Sequence, residues 1–187
     1  MTRRQLLTRI DEAWKTLHAA YVGLTPDELL EPGVTGAWSV RDILAHVTTW
    51  EEEALRYLPL LATGGTPPRY STAHGGIDAF NARMTEAKRH LSLAAVLHQL
   101  DDTHRRLVEL VQSAPDALIT SETRFRHRLR LDAYSHYPIH AEAIRKWRAH
   151  RSGNVGGPDM APHTPHASRP GGAVALRERA IVNPTDF

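Results

Sequence analysis

The chain of 187 residues contains no cysteine. Disulfides, thiolate metal sites and a cysteine nucleophile are therefore excluded, and any metal must be held by nitrogen or oxygen donors. It also lacks any apolar run approaching the roughly 18–20 residues needed to cross a bilayer. The opening MTRRQLL soon meets Asp11, Glu12 and Lys15 and has no unbroken apolar core of the signal-peptide kind. The expectation is a cytoplasmic chain with no membrane segment. An excess of one charge is missing as well: 23 Lys and Arg face 21 Asp and Glu, for a formal charge of +2. The one dense basic stretch, Arg124 to Arg130, reads as the solvated start of a helix rather than a phosphate track, so no nucleic-acid partner is expected. No run alternates with period two for long enough to suggest a sheet.

What the sequence does contain is helical periodicity. Leu6, Leu7, Ile10, Ala13, Trp14, Leu17 and Tyr21 predict an amphipathic helix over 3–22. Thr25-Pro26-Asp27-Glu28 starts a short helical turn, and Pro32-Gly33 ends it. Ser39 with Asp42 forms a capping box before a second long helix, whose apolar side runs from Val40 through Ile43, Val47, Trp50 and Ala54 to Leu61. After a Gly- and Pro-rich loop, a third stretch begins near Ile77; Ser92 recaps it, and Leu93 to Val111 continue the stripe. The last helix spans roughly 128–150, with Pro138 inside it producing a kink. Four amphipathic helices make an all-α four-helix bundle over residues 1–150. Glycine and proline crowd the segment 151–187, which reads as a flexible C-terminal tail, with a brief helical turn over Ala173 to Ile181.

The apolar stripe of the last helix is Leu129, Ala133, His136, His140, Ala143, Ile144 and Trp147. Two imidazoles one turn apart thus point inward, where an unsatisfied polar group costs about 1–3 kcal/mol. A metal ion would satisfy both if a third ligand came from another helix, and His46, on the flank of the second helix between Ile43 and Trp50, is the natural donor. Three neutral nitrogens leave a coordination position open, as catalytic sites require, and they suit Zn, Ni, Fe or Cu without choosing among them. Asp42 and Glu142 stand close enough in sequence to orient the rings. The competing reading is that these are ordinary hydrogen-bonded histidines, and His104, core-facing with no motif around it, is read that way.

The stretch Trp38-Ser39-Val40-Arg41-Asp42-Ile43-Leu44-Ala45-His46-Val47-Thr48-Thr49-Trp50-Glu51 resembles the second helix of DinB-like (YfiT-like) four-helix bundle proteins, and His136-Tyr137-Pro138-Ile139-His140 resembles their closing His-x-x-x-His. Thr2 to Leu7, Glu31 to Val34 and Gly76 to Asn81 point within that superfamily to the ClbS/DfsB branch. The resemblance covers about residues 1–150. It implies a divalent-metal triad of His46, His136 and His140, with Zn, Ni or Fe as the ion. It also implies self-resistance or detoxification, in which an electrophilic, DNA-alkylating small molecule is hydrolysed by opening a cyclopropane. Water on the metal, its pKa lowered toward about 7, would be the nucleophile, with Glu142 or Asp42 handling the proton. Trp38, Trp50, Tyr57, Tyr134 and Tyr137 could line a cleft for a flat ligand, although core packing accounts for most of them. Two alternatives stay open: a metal-dependent thiol S-transferase and a non-catalytic protein that sequesters a drug. A homodimer is compatible with the sequence.

Overall fold

Three reciprocal capping boxes set the helix starts in the first third of the chain. Thr2, Thr25 and Ser39 each accept from a backbone N–H three residues on, and Gln5, Glu28 and Asp42 bond back to the cap. In the computed structural model, which describes residues 1–154, these boxes open α1 (Arg3–Tyr21), α2 (Pro26–Leu30) and α3 (Val40–Ala62). There follow α4 (Tyr70–His74), α5 (Ile77–Lys88), α6 (Leu93–Ser113), α7 (Asp116–Thr120), α8 (Arg124–Leu129), a π-helical segment (Arg130–Tyr134) and α9 (Tyr137–Asn154). No helix among the described residues is long and apolar enough to cross a membrane.

The four long helices α1, α3, α6 and α9 form the bundle, with α3 packed on α6 and α1 on α9. Their shared core includes Leu6, Ile10 and Leu17 of α1, Ile43, Val47 and Leu58 of α3, Leu100 and Leu107 of α6, and Ala141 and Ile144 of α9, all fully buried. This is the all-α bundle that the periodicity predicts. The stripe over 77–111 is two helices rather than one. The chain turns at Arg89–Ser92, Ser92 caps α6, and α5 is left to pack on α3 outside the bundle. Arg41 secures that turn from α3, because its Nη2 donates to the carbonyls of Lys88 at 2.5 Å, Arg89 at 3.1 Å and Leu91 at 2.5 Å.

Two further differences from the sequence reading bear on the site. A small antiparallel hairpin, β1 (Pro32–Thr35) and β2 (Trp38–Ser39), precedes α3, pairing Pro32 with Ser39 and Thr35 with Trp38. Two residue pairs are too few to leave an alternating pattern, so the sequence shows no sign of it. The last helix is interrupted rather than kinked at proline. The π-helical segment ends with the Ser135 N–H donating to the Arg130 carbonyl, and α9 begins afresh at Tyr137. Pro138 therefore lies in a first turn, where an N–H has no helical acceptor to lose. The flexible tail expected from residue 151 starts later than predicted, because α9 continues to Asn154; the rest of it, with the helical turn at Ala173 to Ile181, lies outside the described residues.

The Ser39 cap fixes the start of the helix that carries His46. Ser39→Ala should lower stability by about 1 kcal/mol, measured as a lower urea midpoint with an unchanged slope. An unchanged midpoint would show that Asp42 and Arg41 hold the helix start without the hydroxyl.

Candidate metal centre

His46 lies two turns into α3, on its buried side, and is 5 % exposed. His136 follows the π-helical segment and His140 lies in the first turn of α9; they are 2 % and 0 % exposed. The interruption between α8 and α9 matters here. A π turn adds one residue, which rotates everything after it by about 100° relative to the preceding helix. His136 and His140 are thus aimed by α9 and its leading turn, independently of α8. Nε2 of His136 lies 3.2 Å from Nε2 of His46 and 2.8 Å from Nε2 of His140. The three ligand nitrogens all fall within 4.8 Å of one another. The single donor expected from the second long helix and the pair expected from the last one do converge.

Hydrogen bonding alone does not satisfy this arrangement. Nε2 of a neutral imidazole carries either one proton or one lone pair, so His136 Nε2 can serve one neighbour and not both. Protonation is disfavoured as well. Burial holds the His46 pKa well below its usual value, and the nearby His136 and Lys88 lower it further. His140 is depressed in the same way by burial and then by the other two rings. Burial lowers His136 to about 4, partly offset by its hydrogen bond with the Asp132 backbone. The chemistry is that of three neutral nitrogen donors pointing at one spot, a set that fits a divalent cation and leaves further coordination positions for other ligands.

Residues 9–142 match the family model of the DinB superfamily. The chain belongs to that superfamily. Among solved structures it is similar to the colibactin self-resistance protein ClbS, crystallised with a double-stranded DNA. The match has 18 % identity and a TM-score of 0.68, covering 79 % of this chain and 95 % of that one. An uncharacterised protein from Escherichia coli UTI89 matches at 19 % identity and a TM-score of 0.66, covering 81 % and 95 %. DfsB, described as a sibling lethal factor precursor, matches at 13 % identity and 0.66, covering 81 % and 97 %. At these identities the solved structures establish a shared fold. No curated protein sequence matches the chain.

Around the three histidines, the other expected site residues divide. Trp38 is half-buried with its ring 5.1 Å from that of His46, and Trp50 is fully buried, 6.3 Å from both His46 and His136. Tyr137 points away from the triad, its hydroxyl donating to Glu51 Oε1 at 2.6 Å. Tyr57 is half-buried beneath the Arg128 guanidinium, and Tyr134 packs on the bundle core. The two carboxylates are not gathered to the rings. Asp42 accepts from the Ser39 N–H at 3.0 Å, the Ser39 hydroxyl at 2.8 Å and Arg41 at 2.8 Å. Burial opposes its ionisation, but those bonds win and hold its pKa below the usual range. Glu142 is half-exposed and pairs with Arg145 and Lys146.

Sequence reasoning missed two buried polar groups. Glu51, 0 % exposed, accepts from Tyr137, from the Thr103 hydroxyl and from His104, whose ring stacks on Trp14 at 3.6 Å. Arg128 pairs with Asp132 and donates to the Tyr70 hydroxyl at 2.9 Å, and Tyr70 donates to Glu53 at 2.5 Å. Glu51 stands four residues after Val47 and three before Ala54, so the apolar stripe itself carried the signal.

An unfolded histidine titrates near 6.5, whereas folded His136 takes up a proton only near pH 4. Between those values the unfolded chain binds a proton that the folded chain refuses, so stability is complete above 6.5 and falls as pH drops toward 4. For His136 alone the loss amounts to roughly 3 kcal/mol. Urea midpoints of the metal-free protein should decline across that window, and His136→Asn should flatten the decline. Identical profiles for the two proteins would contradict the burial argument.

Proposed function

We propose that this chain is a metal-dependent resistance or detoxification protein that opens a strained electrophilic small molecule with water. The observation that carries the reading is the convergence of three buried neutral imidazole nitrogens, from α3, α9 and the turn before α9, within 4.8 Å. The shared fold with ClbS, a colibactin self-resistance protein, supports the substrate class. His46, His136 and His140 would hold the ion, with Zn, Ni and Fe the ions that suit an all-imidazole set. When bound, it would supply Lewis acidity and a low-pKa source of hydroxide at neutral pH.

The chain's own residues shape what reaches that point. Half-buried Trp38 lies with its ring 5.1 Å from that of His46, and fully buried Trp50, 6.3 Å from His46 and His136, is fixed by its Nε1–H donating to Asn81 at 3.2 Å. Asp42, held as an anion by Ser39 and Arg41, serves as a fixed negative charge one turn before His46 rather than as a proton carrier. Glu142, among cations on the outer face of α9, is assigned no part in the chemistry. A cytoplasmic location suits a protein that protects its host from a reactive molecule. Duplex DNA, present in the ClbS structure, is the second candidate partner. Against it stands the pairing of Arg126 with Glu122 and of Arg128 with Asp132, which neutralises half of the basic run.

The test combines metal content with product analysis. Elemental analysis should find about one divalent ion per chain, and His140→Ala should lose at least about 90 % of it, because two remaining nitrogens make an incomplete site. A cyclopropane-bearing alkylating agent should be converted to its ring-opened hydrate in the absence of any thiol, and His140→Ala should abolish that conversion. Dependence on added thiol would establish the S-transferase reading instead. Recovery of unchanged agent after denaturation would establish sequestration. Full metal content in His140→Ala would remove the triad from the account.

A further inference from the structure

A cleft of about 290 Å³ opens beside Tyr70 and Arg128, and none of the three imidazoles lines it. Leu61, Pro67, Pro68 and the ring of Tyr70 give it apolar walls, and Arg124 and Arg128 give it two cations. Arg128 is only 7 % exposed. Its Nε is taken by Asp132 and its Nη2 by the Tyr70 hydroxyl, while its Nη1 has no hydrogen-bond partner among the described residues. The rings of Tyr57, Tyr70 and Trp50 crowd the guanidinium at 5.4, 5.6 and 5.9 Å, so they fix its plane and leave its remaining edge for the cleft it lines. Nη1 is not among the buried atoms that lack a partner, so this arm is open on the cleft side, where a charge-assisted bond to an acceptor on a ligand can form.

The charges decide what fills it. Asp132 compensates Arg128, and Arg126 compensates Glu122 at the rim. Arg130 donates to Nδ1 of His127, whose protonation is disfavoured first by burial and then by that same arginine. Arg124 is exposed, and its hydrogen bond is a long one of 3.4 Å to the Thr66 hydroxyl. Among the described residues, Arg124 is thus the cleft cation without an ion pair, and it stands beside the open edge of the Arg128 guanidinium.

We propose that this cleft binds a small apolar monocarboxylate. The carboxylate sits between Nη1 of Arg128 and Arg124, and the hydrocarbon lies against Leu61, Pro67 and Tyr70. Charge-assisted bonds from two arginines favour a carboxylate over a neutral amide of the same shape. The volume suits a body of two fused rings. The assignment does not depend on a metal at the imidazoles, which take no part in lining this cleft.

Calorimetric titration of the full-length protein as purified, with 2-naphthoate and with its isostere 2-naphthamide, tests this directly. Naphthoate should saturate one site per chain, and naphthamide should bind at least about tenfold more weakly. Arg124→Gln should weaken naphthoate several-fold. Because Arg128→Gln could unfold the buried network, Leu61→Trp is the decisive variant: it fills the cleft from a half-buried position, leaves both arginines in place, and should weaken naphthoate at least about tenfold with an unchanged circular dichroism spectrum. Equal binding of acid and amide, no saturable binding of naphthoate, or undiminished binding by Leu61→Trp would overturn the proposal.

Discussion

The structure is organised around three imidazole nitrogens brought together at one buried point. A buried histidine is tolerable if it is neutral and each ring nitrogen finds a match. Here three Nε2 atoms meet around His136, which can satisfy one neighbour by hydrogen bonding and leaves the other unmatched. Burial keeps the rings neutral, and neutrality keeps the lone pairs available to a cation. The property that makes the interior costly without an ion is therefore the property that suits it to holding one. The surrounding fold reads as the means of holding that tension in place.

Most of that means is α3. His46, Glu51 and Glu53 are all buried on this helix, and each is answered by a different neighbour. His46 meets α9 and the turn before it, Glu51 meets Thr103 and His104 of α6 together with Tyr137 of α9, and Glu53 meets Tyr70 of α4. Three polar matches at different heights leave little freedom for α3 to slide or rotate against its partners. Such networks are only modestly stabilising in net terms, yet breaking one leaves a desolvated group behind. Tyr137 ties two of them together, because its backbone follows His136 directly while its hydroxyl is fixed on Glu51. Polar pairing here sets the position of the rings, and apolar burial supplies the stability.

The legible part of this architecture was written in periodicity. The bundle followed from stripes at three- and four-residue spacing, and His136 and His140 were visible because they occupied stripe positions where leucine belongs. His46 was less visible, since it sits on the flank of its stripe, and its convergence with the other two depends on how α3 and α9 cross. The interruption of the last helix was misplaced for a different reason. Proline announces a break in any helical pattern, but the break occurs at Ser135–His136, where the chain changes from π to α, and no single residue type marks a π turn. The hairpin before α3 was invisible because it comprises only two residue pairs.

The π segment explains why the closing motif can contain proline at all. In an unbroken helix, Pro138 would clash with the carbonyl four residues earlier and remove a hydrogen bond, disturbing the pair of rings it separates. Restarting the helix at Tyr137 makes Pro138 a first-turn residue whose fixed φ suits a helix start. The Arg128–Asp132 pair then spans the junction between α8 and the π segment, tying together the two stretches whose hydrogen-bond registers differ. Helix break, proline and ion pair form one device. It separates the orientation of α9, which carries His140, from that of α8, which carries Arg128, with Trp50 6.3 Å from the His136 ring and 5.9 Å from the Arg128 guanidinium.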